Sequence, residues 1–270
     1  IRKDIYDSVN IVPKLANLSL NISLETITTS QYYTGSIKIN IAVSGYLVLN
    51  DTTYILSELI DVNAFCGKNA LNIPLKNGNY LSIPDHSKIT ELSLITSTKS
   101  TKINDNFLFG CTSLTNLNIS SLKEATEIGN SFLENCSNLA ELNLTLLSNV
   151  KTIGANFLNG CSSLPKDINL EPIYNVTEIG GLGLPQLESI DLTNFKNLTK
   201  INGGFLSGCN KITSLDLSTL NNVSSVGDNF LYNCSLLTSL DASCFTNVNS
   251  IGSCFLTNCV KLNQVNLPSL

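Results

Sequence analysis

The stretch Cys136–Gly160, CSNLAELNLTLLSNVKTIGANFLNG, decides the fold because the chain repeats its pattern over most of its length. Each copy has 25 residues except 161–183, which has 23. The other copies are 86–110, 111–135, 161–183, 184–208, 209–233 and 234–258, with a partial copy at 259–270. A fixed period of about 20 to 50 residues is typical of a solenoid, in which each unit forms one coil and the coils stack. We call each coil a rung.

The apolar positions of one rung predict its local structure. The segment Leu139-x-x-Leu142-x-Leu144 alternates, which predicts a short strand with one buried face. Ile153-Gly154 predicts a tight turn, because glycine adopts backbone conformations that strain other residues. The following Phe157-Leu158 predicts a return to the interior through a short helical turn. A single rung cannot offset a chain entropy of about 1–2 kcal/mol per residue, so neighbouring rungs must share one core.

Two further slots recur in every regular rung. The first is aromatic and holds Phe107, Phe132, Phe157, Phe205, Phe230 and Phe255. The second holds Cys111, Cys136, Cys161, Cys209, Cys234 and Cys259, with His86 and Leu184 in the two remaining rungs. A slot that also accepts leucine is apolar, so we predict a column of stacked core rings and a column of reduced, inert thiols.

The remaining cysteines and the composition limit the chemistry of the chain. Cys244 and Cys254 lie in one coil outside the cysteine slot, so they form either a disulfide or two separate thiols. No Cys-x-x-Cys pair occurs, which disfavours a zinc site. The only histidine, His86, has no nucleophile and acid around it in the pattern, and no phosphate-binding glycine loop precedes a helix. We therefore predict no enzymatic activity, no cofactor and no bound metal.

The charge balance restricts the partners. The chain has 16 Lys and Arg against 21 Asp and Glu, a net charge of −5, and its single arginine is Arg2. Nucleic-acid binding requires clustered basic residues, so we exclude it. No apolar run reaches the length that spans a bilayer, so we expect no membrane-spanning segment in this chain.

The first part of the chain lacks the repeat. Residues 15–28 and 36–49 alternate and predict two long antiparallel strands, whereas 53–65 fits either a strand or a helix. The turn Asn77-Gly78 predicts a β-hairpin. We therefore divide the chain into a β-rich region at 1–85, either a small domain or a cap on the first rung, and a solenoid at 86–270.

The order of these motifs resembles the BspA-type leucine-rich repeat, on the residues Leu139-x-x-Leu142-x-Leu144, Ile153-Gly154, Phe157 and Cys161-x-x-Leu164. The resemblance covers about 86–270. The repeat here is slightly longer than the family's typical unit, and Asn156 stands where the family has alanine. The resemblance implies a mostly β leucine-rich-repeat solenoid with a parallel strand ladder on its concave face and short helical turns opposite. It also implies a surface or secreted protein of bacteria or parasitic protists, some of which adhere to host matrix proteins.

One rung departs from the pattern. Rung 161–183 has an extra residue in Pro165-Lys166-Asp167 and has Gly180–Gly183 in place of the Phe-Leu turn. This difference predicts a change in local curvature. The rung is either a docking notch or a tolerated deletion in a surface loop.

The outward-facing residue between the two strand apolars is repeatedly Asn or Asp. We call this set the Asn/Asp column: Ser93, Asn118, Asn143, Asn169, Asp191, Asp216, Asp241 and Asn266. Glu141 and Glu171 flank it and make the face more acidic. The predicted partner-binding residues on the concave face are therefore Asp191, Asp216, Asp241, Asn143, Asn169, Glu141 and Glu171, which favour a basic protein surface. The alternative is a solvated ladder of short polar side chains.

These observations predict a non-enzymatic protein–protein interaction or adhesion module that is displayed at the cell surface or secreted. The alternative is a structural subunit of a larger assembly, such as a filament, coat or virion, which would bind copies of itself. Ten Asn-x-Ser/Thr sequons, beginning at Asn17, Asn21, Asn50, Asn118, Asn135, Asn143, Asn175, Asn197, Asn222 and Asn233, predict a glycoprotein if a eukaryote secretes the chain. A chain rich in Asn, Ser and Thr also produces such sequons by chance.

Overall fold

The computed structural model describes residues 37–41, 46–49, 52–55, 62–68, 71–74, 80–83, 85–94 and 100–268. These residues form a parallel-strand solenoid of about seven turns with little helix, which confirms the predicted fold. The predicted strand at 15–28 lies outside the described residues.

The described elements are short strands and single 3-10 turns. The strands are β1 Ile37–Ile41, β2 Tyr46–Leu49, β3 Thr52–Ile55, β4 Leu71–Pro74, β5 Tyr80–Ile83, β6 Ile89–Leu94, β7 Lys102–Ile103, β8 Asn116–Asn118, β9 Glu127–Ile128, β10 Thr152–Ile153, β11 Glu178–Ile179, β12 Lys200–Ile201, β13 Ser225–Val226, β14 Ser239–Asp241 and β15 Gln264–Asn266. The 3-10 turns are Val62–Phe65, His86–Lys88, Ser120–Glu124, Leu144–Leu147 and Glu171–Ile173.

The predicted strand slot forms a parallel ladder at both ends of the described solenoid. β1, β6 and β8 pair in parallel, with Leu92 opposite Leu117, and β14 pairs with β15, with Leu240 opposite Val265. In the middle rungs the same slot has no strand pairing among the described residues, apart from one bridge between Asp216 and Asp241. The ladder of this face is therefore interrupted at its centre.

A second ladder runs along the Ile-Gly slot, where the sequence predicted a turn. Here six two-residue strands pair in parallel in the order β13-β12-β11-β10-β9-β7. The prediction of a turn at Ile153-Gly154 was therefore wrong for Ile153, which belongs to β10 and is buried. The glycine marks close approach between rungs, since a Cβ on Gly154 would lie 2.6 Å from the Gly129 carbonyl carbon. Repeated close approach permits the inter-rung hydrogen bonds of this ladder.

The predicted phenylalanine column is present in the core. The ring centroids of Phe107 and Phe132 lie 5.1 Å apart, and those of Phe132 and Phe157 lie 5.4 Å apart, in both cases nearly parallel. The column resumes from Phe205 through Phe230 to Phe255. It is interrupted at rung 161–183, where Gly181 takes the aromatic slot: the Gly181 carbonyl accepts from the Leu206 amide just as the Phe205 carbonyl accepts from the Leu231 amide.

The Phe-Leu segment itself is a turn with left-handed residues rather than a helical turn. Ser131 has a φ of 60° and Leu133 a φ of 55°. With these two left-handed residues, the Ser131 N–H donates to the Ala155 carbonyl of the following rung at 2.8 Å. The Leu133 N–H donates to the Phe107 carbonyl of the preceding rung at 2.9 Å. The inter-rung hydrogen bonds on both sides stabilise a conformation that costs non-glycine residues about 1–2 kcal/mol each.

All nine cysteines are free in the structure, and the six in the repeated slot are buried, as the sequence predicted. The Cys136 Sγ donates to the Leu108 carbonyl at 3.2 Å, and later cysteines of the slot repeat this contact, 27 or 28 residues back along the chain. Burial raises the pKa of Cys161 and Cys209 to about 12. Cys244 and Cys254 are separate thiols, and the Cys244 Sγ donates to the Leu217 carbonyl at 3.0 Å.

The region before the repeat contributes to the first rungs. The predicted hairpin around Asn77-Gly78 is confirmed by antiparallel pairing of β4 with β5. The predicted single strand at 36–49 is instead two strands, and the first of them, β1, pairs in parallel with β6. The segment left open between strand and helix contains β3 and a 3-10 turn, whose buried Phe65 accepts a hydrogen bond from the Leu108 amide. The division into domains at residue 85 stays a prediction.

Candidate functional site

The Asn/Asp column has a shared local geometry. In each middle rung the column residue's Oδ1 accepts a hydrogen bond from the backbone N–H two residues later, at 2.8–3.1 Å. The six donor–acceptor pairs are Ser120 to Asn118, Thr145 to Asn143, Glu171 to Asn169, Thr193 to Asp191, Ser218 to Asp216 and Ser243 to Asp241. Asn and Asp are the residues that form this turn, so the column has a structural reason independent of any ligand.

Three members of the column carry charge. Hydrogen bonds from the Thr193 side chain and amide lower the pKa of Asp191. The Ser218 amide and hydroxyl lower the pKa of Asp216, and the Ser243 hydroxyl and amide lower that of Asp241. All three carboxylates are exposed and ionised at neutral pH, and Asp216 lies directly beside Asp241 in the ladder. They form a row of fixed negative charges.

The structure places the predicted site residues on exposed positions of this face. Asn143, Asn169 and Glu141 are exposed, and Glu171 begins a 3-10 turn through its amide contact with Asn169. The sequence grouped these residues by slot, but it missed their turn-forming role. A signal was present, because Ser or Thr follows two positions after most members of the column. A partner-binding role for these residues stays a prediction.

A groove of about 470 Å³ lies on this face between segments 166–170 and 187–191. We call it the 166–191 groove. Its lining is Lys166, Asp167, Ile168, Asn169, Leu170, Tyr174, Leu187, Glu188, Ser189, Ile190 and Asp191. The groove thus includes two predicted site residues, Asn169 and Asp191, and coincides with the rung that departs from the repeat.

The short rung explains the position of the groove. On the opposite side of the coil, the two neighbouring rungs bond directly to each other across it, since the Asn202 Nδ2 donates to the Ile153 carbonyl at 3.1 Å. The Asn156 amide also donates to the Gly203 carbonyl. Rung 161–183 is therefore enclosed by its two neighbours on the side of its glycines. On the groove side, the extra residue near Lys166 makes the backbone of this rung longer.

The groove combines an aromatic ring with charged groups. Lys166 Nζ lies 3.0 Å from Glu188 Oε2, and both side chains are exposed. The Tyr174 ring meets the Phe195 ring edge to face, with centroids 5.0 Å apart. Burial raises the pKa of Tyr174, and the nearby carboxylates of Asp191 and Glu171 raise it further. The groove therefore has an apolar wall and an acidic rim.

A metal site, a membrane-spanning helix and a glycosylation site each have requirements that can be checked against the described residues. Across the described ranges from 37 to 268, no group of three or more His, Cys, Asp or Glu is arranged to hold a metal ion. No helix in the described part of the chain is long and apolar enough to cross a membrane. The seven sequon asparagines within 100–268 are exposed, and their glycosylation stays a prediction.

The stacked rungs, the leucine slots and the Phe and Cys columns define a leucine-rich repeat protein. More particularly, the chain belongs to the BspA-type leucine-rich repeat family. Residues 58–182 and 182–270 match the family described as BspA type Leucine rich repeat region (6 copies). The match begins before residue 86, in agreement with the contact between Phe65 and the first complete rung. Members of this repeat class are commonly protein-interaction or surface modules and are generally non-enzymatic.

Three solved structures are similar to this chain. A leucine-rich repeat protein from Bacteroides ovatus is 17% identical, with a TM-score of 0.48 over 97% of this chain and 72% of that one. The functional domain of InlJ from Listeria monocytogenes, described as including a cysteine ladder, is 17% identical, with a TM-score of 0.37 over 67% of this chain and 42% of that one. A leucine rich cell surface protein from Faecalibacterium prausnitzii is 12% identical, with a TM-score of 0.21 over 68% and 65%. No curated protein matches the chain.

Proposed function

We propose that this protein is a non-enzymatic protein–protein interaction module that binds its partner through the face carrying the Asn/Asp column. The observation that supports the proposal is the row of exposed, ionised carboxylates at Asp191, Asp216 and Asp241, which the turn geometry holds at fixed positions. Stacked repeats present extended surfaces of this kind, and such surfaces are the usual binding sites of solenoids.

The charge of this face favours a basic protein partner. Asp216 and Asp241 lie side by side in a parallel bridge, where strands are about 4.8 Å apart, and Asp191 occupies the same slot one rung earlier. The three carboxylates together produce a continuous negative field. A field of this kind accelerates association with a positively charged surface and repels polyanions. Membership of the BspA-type family supports display at the cell surface or secretion, and adhesion is the corresponding biological role.

Site-specific photo-crosslinking tests which face binds. A photoreactive residue replaces Ser214, which is exposed beside the column, or Ser224, which is exposed immediately before β13 of the other ladder and serves as the matched control. Each variant is incubated with extracellular proteins that carry basic and acidic surfaces. We expect crosslinks from position 214 to basic proteins and few from position 224. Equal crosslinking from both positions would contradict the proposal, and crosslinks only between copies of the chain would favour the structural-subunit alternative.

A further inference from the structure

The two segments that line the 166–191 groove belong to the middle rungs, in which the strand slot lacks the pairing seen at the ends of the described solenoid. In the regular ladder, Leu92 lies opposite Leu117 and their strands are hydrogen-bonded. In the part of the chain that the structure describes, no backbone hydrogen bond joins segment 166–170 to segment 187–191. Lys166 and Asp167 lie in a turn, the Leu170 carbonyl accepts from the Ile173 amide, and the Leu187 amide donates to the Leu184 carbonyl. The backbone groups of 168–169 and 188–191 make no backbone–backbone hydrogen bond among the described residues, so they can pair with the backbone of a bound peptide.

The rim of the groove has an excess of negative charge. Three carboxylates, Asp167, Glu188 and Asp191, face a single ammonium group, Lys166. Lys166 is paired with Glu188. Asp191 accepts both of its intramolecular hydrogen bonds on Oδ1, so its Oδ2 takes none from the described residues. Asp167 and Asp191 are therefore the two lining carboxylates without an ion pair among the described residues, and Asp191 is the one held in a fixed turn.

The apolar wall of the groove suits the side chain that would carry the opposite charge. Tyr174 is half-buried, and its edge contact with Phe195 fixes the ring. Ile168 and Ile190 are half-buried beside it. An arginine side chain combines an apolar stem with a planar cation that pairs with carboxylates and stacks on aromatic rings. Lysine offers a point charge on a similar stem but lacks the planar group.

We propose that the 166–191 groove binds an arginine side chain from an extended segment of the partner protein. The guanidinium pairs with Asp191 and the stem packs against Tyr174, while the peptide backbone bonds to the unpaired segments of the two rungs. A volume of about 470 Å³ accommodates one long side chain with its flanking backbone. This inference rests on the proposed function and specifies which part of the face recognises the partner.

A peptide titration tests the proposal at low salt. The probe is a Gly/Ser peptide with one central arginine, and the control peptide has citrulline, which keeps the shape and removes the charge. Binding is followed through backbone amide chemical shifts of the protein. We expect shifts in 166–170 and 187–191 with the arginine peptide and at least about fivefold weaker binding of the citrulline peptide.

The chain provides a matched pair of variants for the same titration. Asp191→Asn keeps the turn acceptor and removes the charge in the groove, whereas Asp216→Asn makes the same change one rung away, outside the groove lining. We expect Asp191→Asn to weaken binding about fivefold and Asp216→Asn to weaken it less than about twofold. Tyr174→Leu, which removes the ring, is expected to weaken binding to a similar extent as Asp191→Asn.

Each outcome decides the inference. Equal weakening by the two aspartate variants would overturn the groove as the site and leave the proposed binding face intact. Absence of binding, equal binding of the citrulline peptide, or shifts confined to other rungs would also overturn it. In those cases the crosslinking from positions 214 and 224 still tests the proposed function independently, because it does not depend on the groove.

Discussion

Rungs 111–135 and 136–160 are regular, whereas rung 161–183 is two residues shorter and lacks the core phenylalanine. In the regular rungs, stacked rings, the Ile-Gly ladder and the inter-rung hydrogen bonds of the Phe-Leu turn hold neighbours together. In the short rung, Gly181 replaces the ring and admits the neighbouring backbone on one side, while the groove lies on the other. The comparison shows that a repeat tolerates a shortened unit if one side compensates by closer backbone contact.

The largest effect is expected at the glycine that replaces the ring. A Cβ on Gly181 would overlap the backbone nitrogen of Phe157, and the residue has a φ of 85°. We expect Gly181→Ala to lower the free energy of unfolding by more than about 4 kcal/mol, because backbone atoms cannot move aside. Gly208→Ala is the control: its φ is 78° but nothing lies near its Cβ, so only the left-handed strain of about 1–2 kcal/mol applies. If Gly181→Ala and Gly208→Ala lost similar amounts of unfolding free energy in chemical denaturation, close backbone contact at Gly181 would not be what compensates for the missing ring.

The next largest effect on stability is expected in the apolar strand slot that holds Ile190 inside the groove and Leu215 outside it. Leu215 is buried, whereas Ile190 occupies the same slot in the preceding rung and is half-buried in the groove lining. We expect Leu215→Ala to cost about 2–5 kcal/mol in chemical denaturation. Ile190→Ala should cost clearly less, since part of its side chain is already in water. A loss as large for Ile190 would mean that the groove is closed in solution.

The cysteine column is expected to make stability depend on alkaline pH. The pKa of Cys209 rises from 9.0 to about 12 in the folded chain, so its stabilisation is complete below pH 9 and is lost as the pH rises towards 12. The slope is about 1.4 kcal/mol per pH unit for each buried thiol. Cys209→Ala should reduce the slope of the unfolding free energy against pH over this range. Leu184→Ala is the control, because it shortens a buried side chain in the same slot of the preceding rung without removing a thiol, and it should leave the slope unchanged.

The smallest effect is expected in the Asn/Asp column. Asp216→Asn retains the Oδ1 acceptor for the Ser218 amide, so the denaturation midpoint at neutral pH should change little. Asp216→Ala removes the acceptor and should lower the midpoint. Because the pKa of Asp216 is lowered in the folded chain, its contribution is present above the ordinary value of 3.8 and is lost as the pH falls through the folded value. The loss of unfolding free energy at acid pH should therefore be smaller in Asp216→Asn than in the unmodified protein. An equal loss in the two proteins would contradict this account.

The sequence by itself determined the stacking. A leucine pattern that repeats every 25 residues buries its apolar side chains only against neighbouring copies. The period therefore predicted that Phe132 stacks on Phe107 and that Cys136 lies in the core. It also indicated where the repeat is irregular, because a missing Phe-Leu pair is visible without coordinates. Local patterns of this kind depend on side-chain volume and polarity, which the sequence states directly.

Only the tertiary structure decided how backbone groups pair between rungs. The strand at Ile153 depends on hydrogen bonds to residues 25 positions away, and the bond from Asn202 to Ile153 passes over a whole rung. The groove beside Tyr174 likewise results from the relative path of two consecutive rungs. These features depend on distances between segments that are remote in the chain, and the local apolar pattern of one rung does not specify such distances.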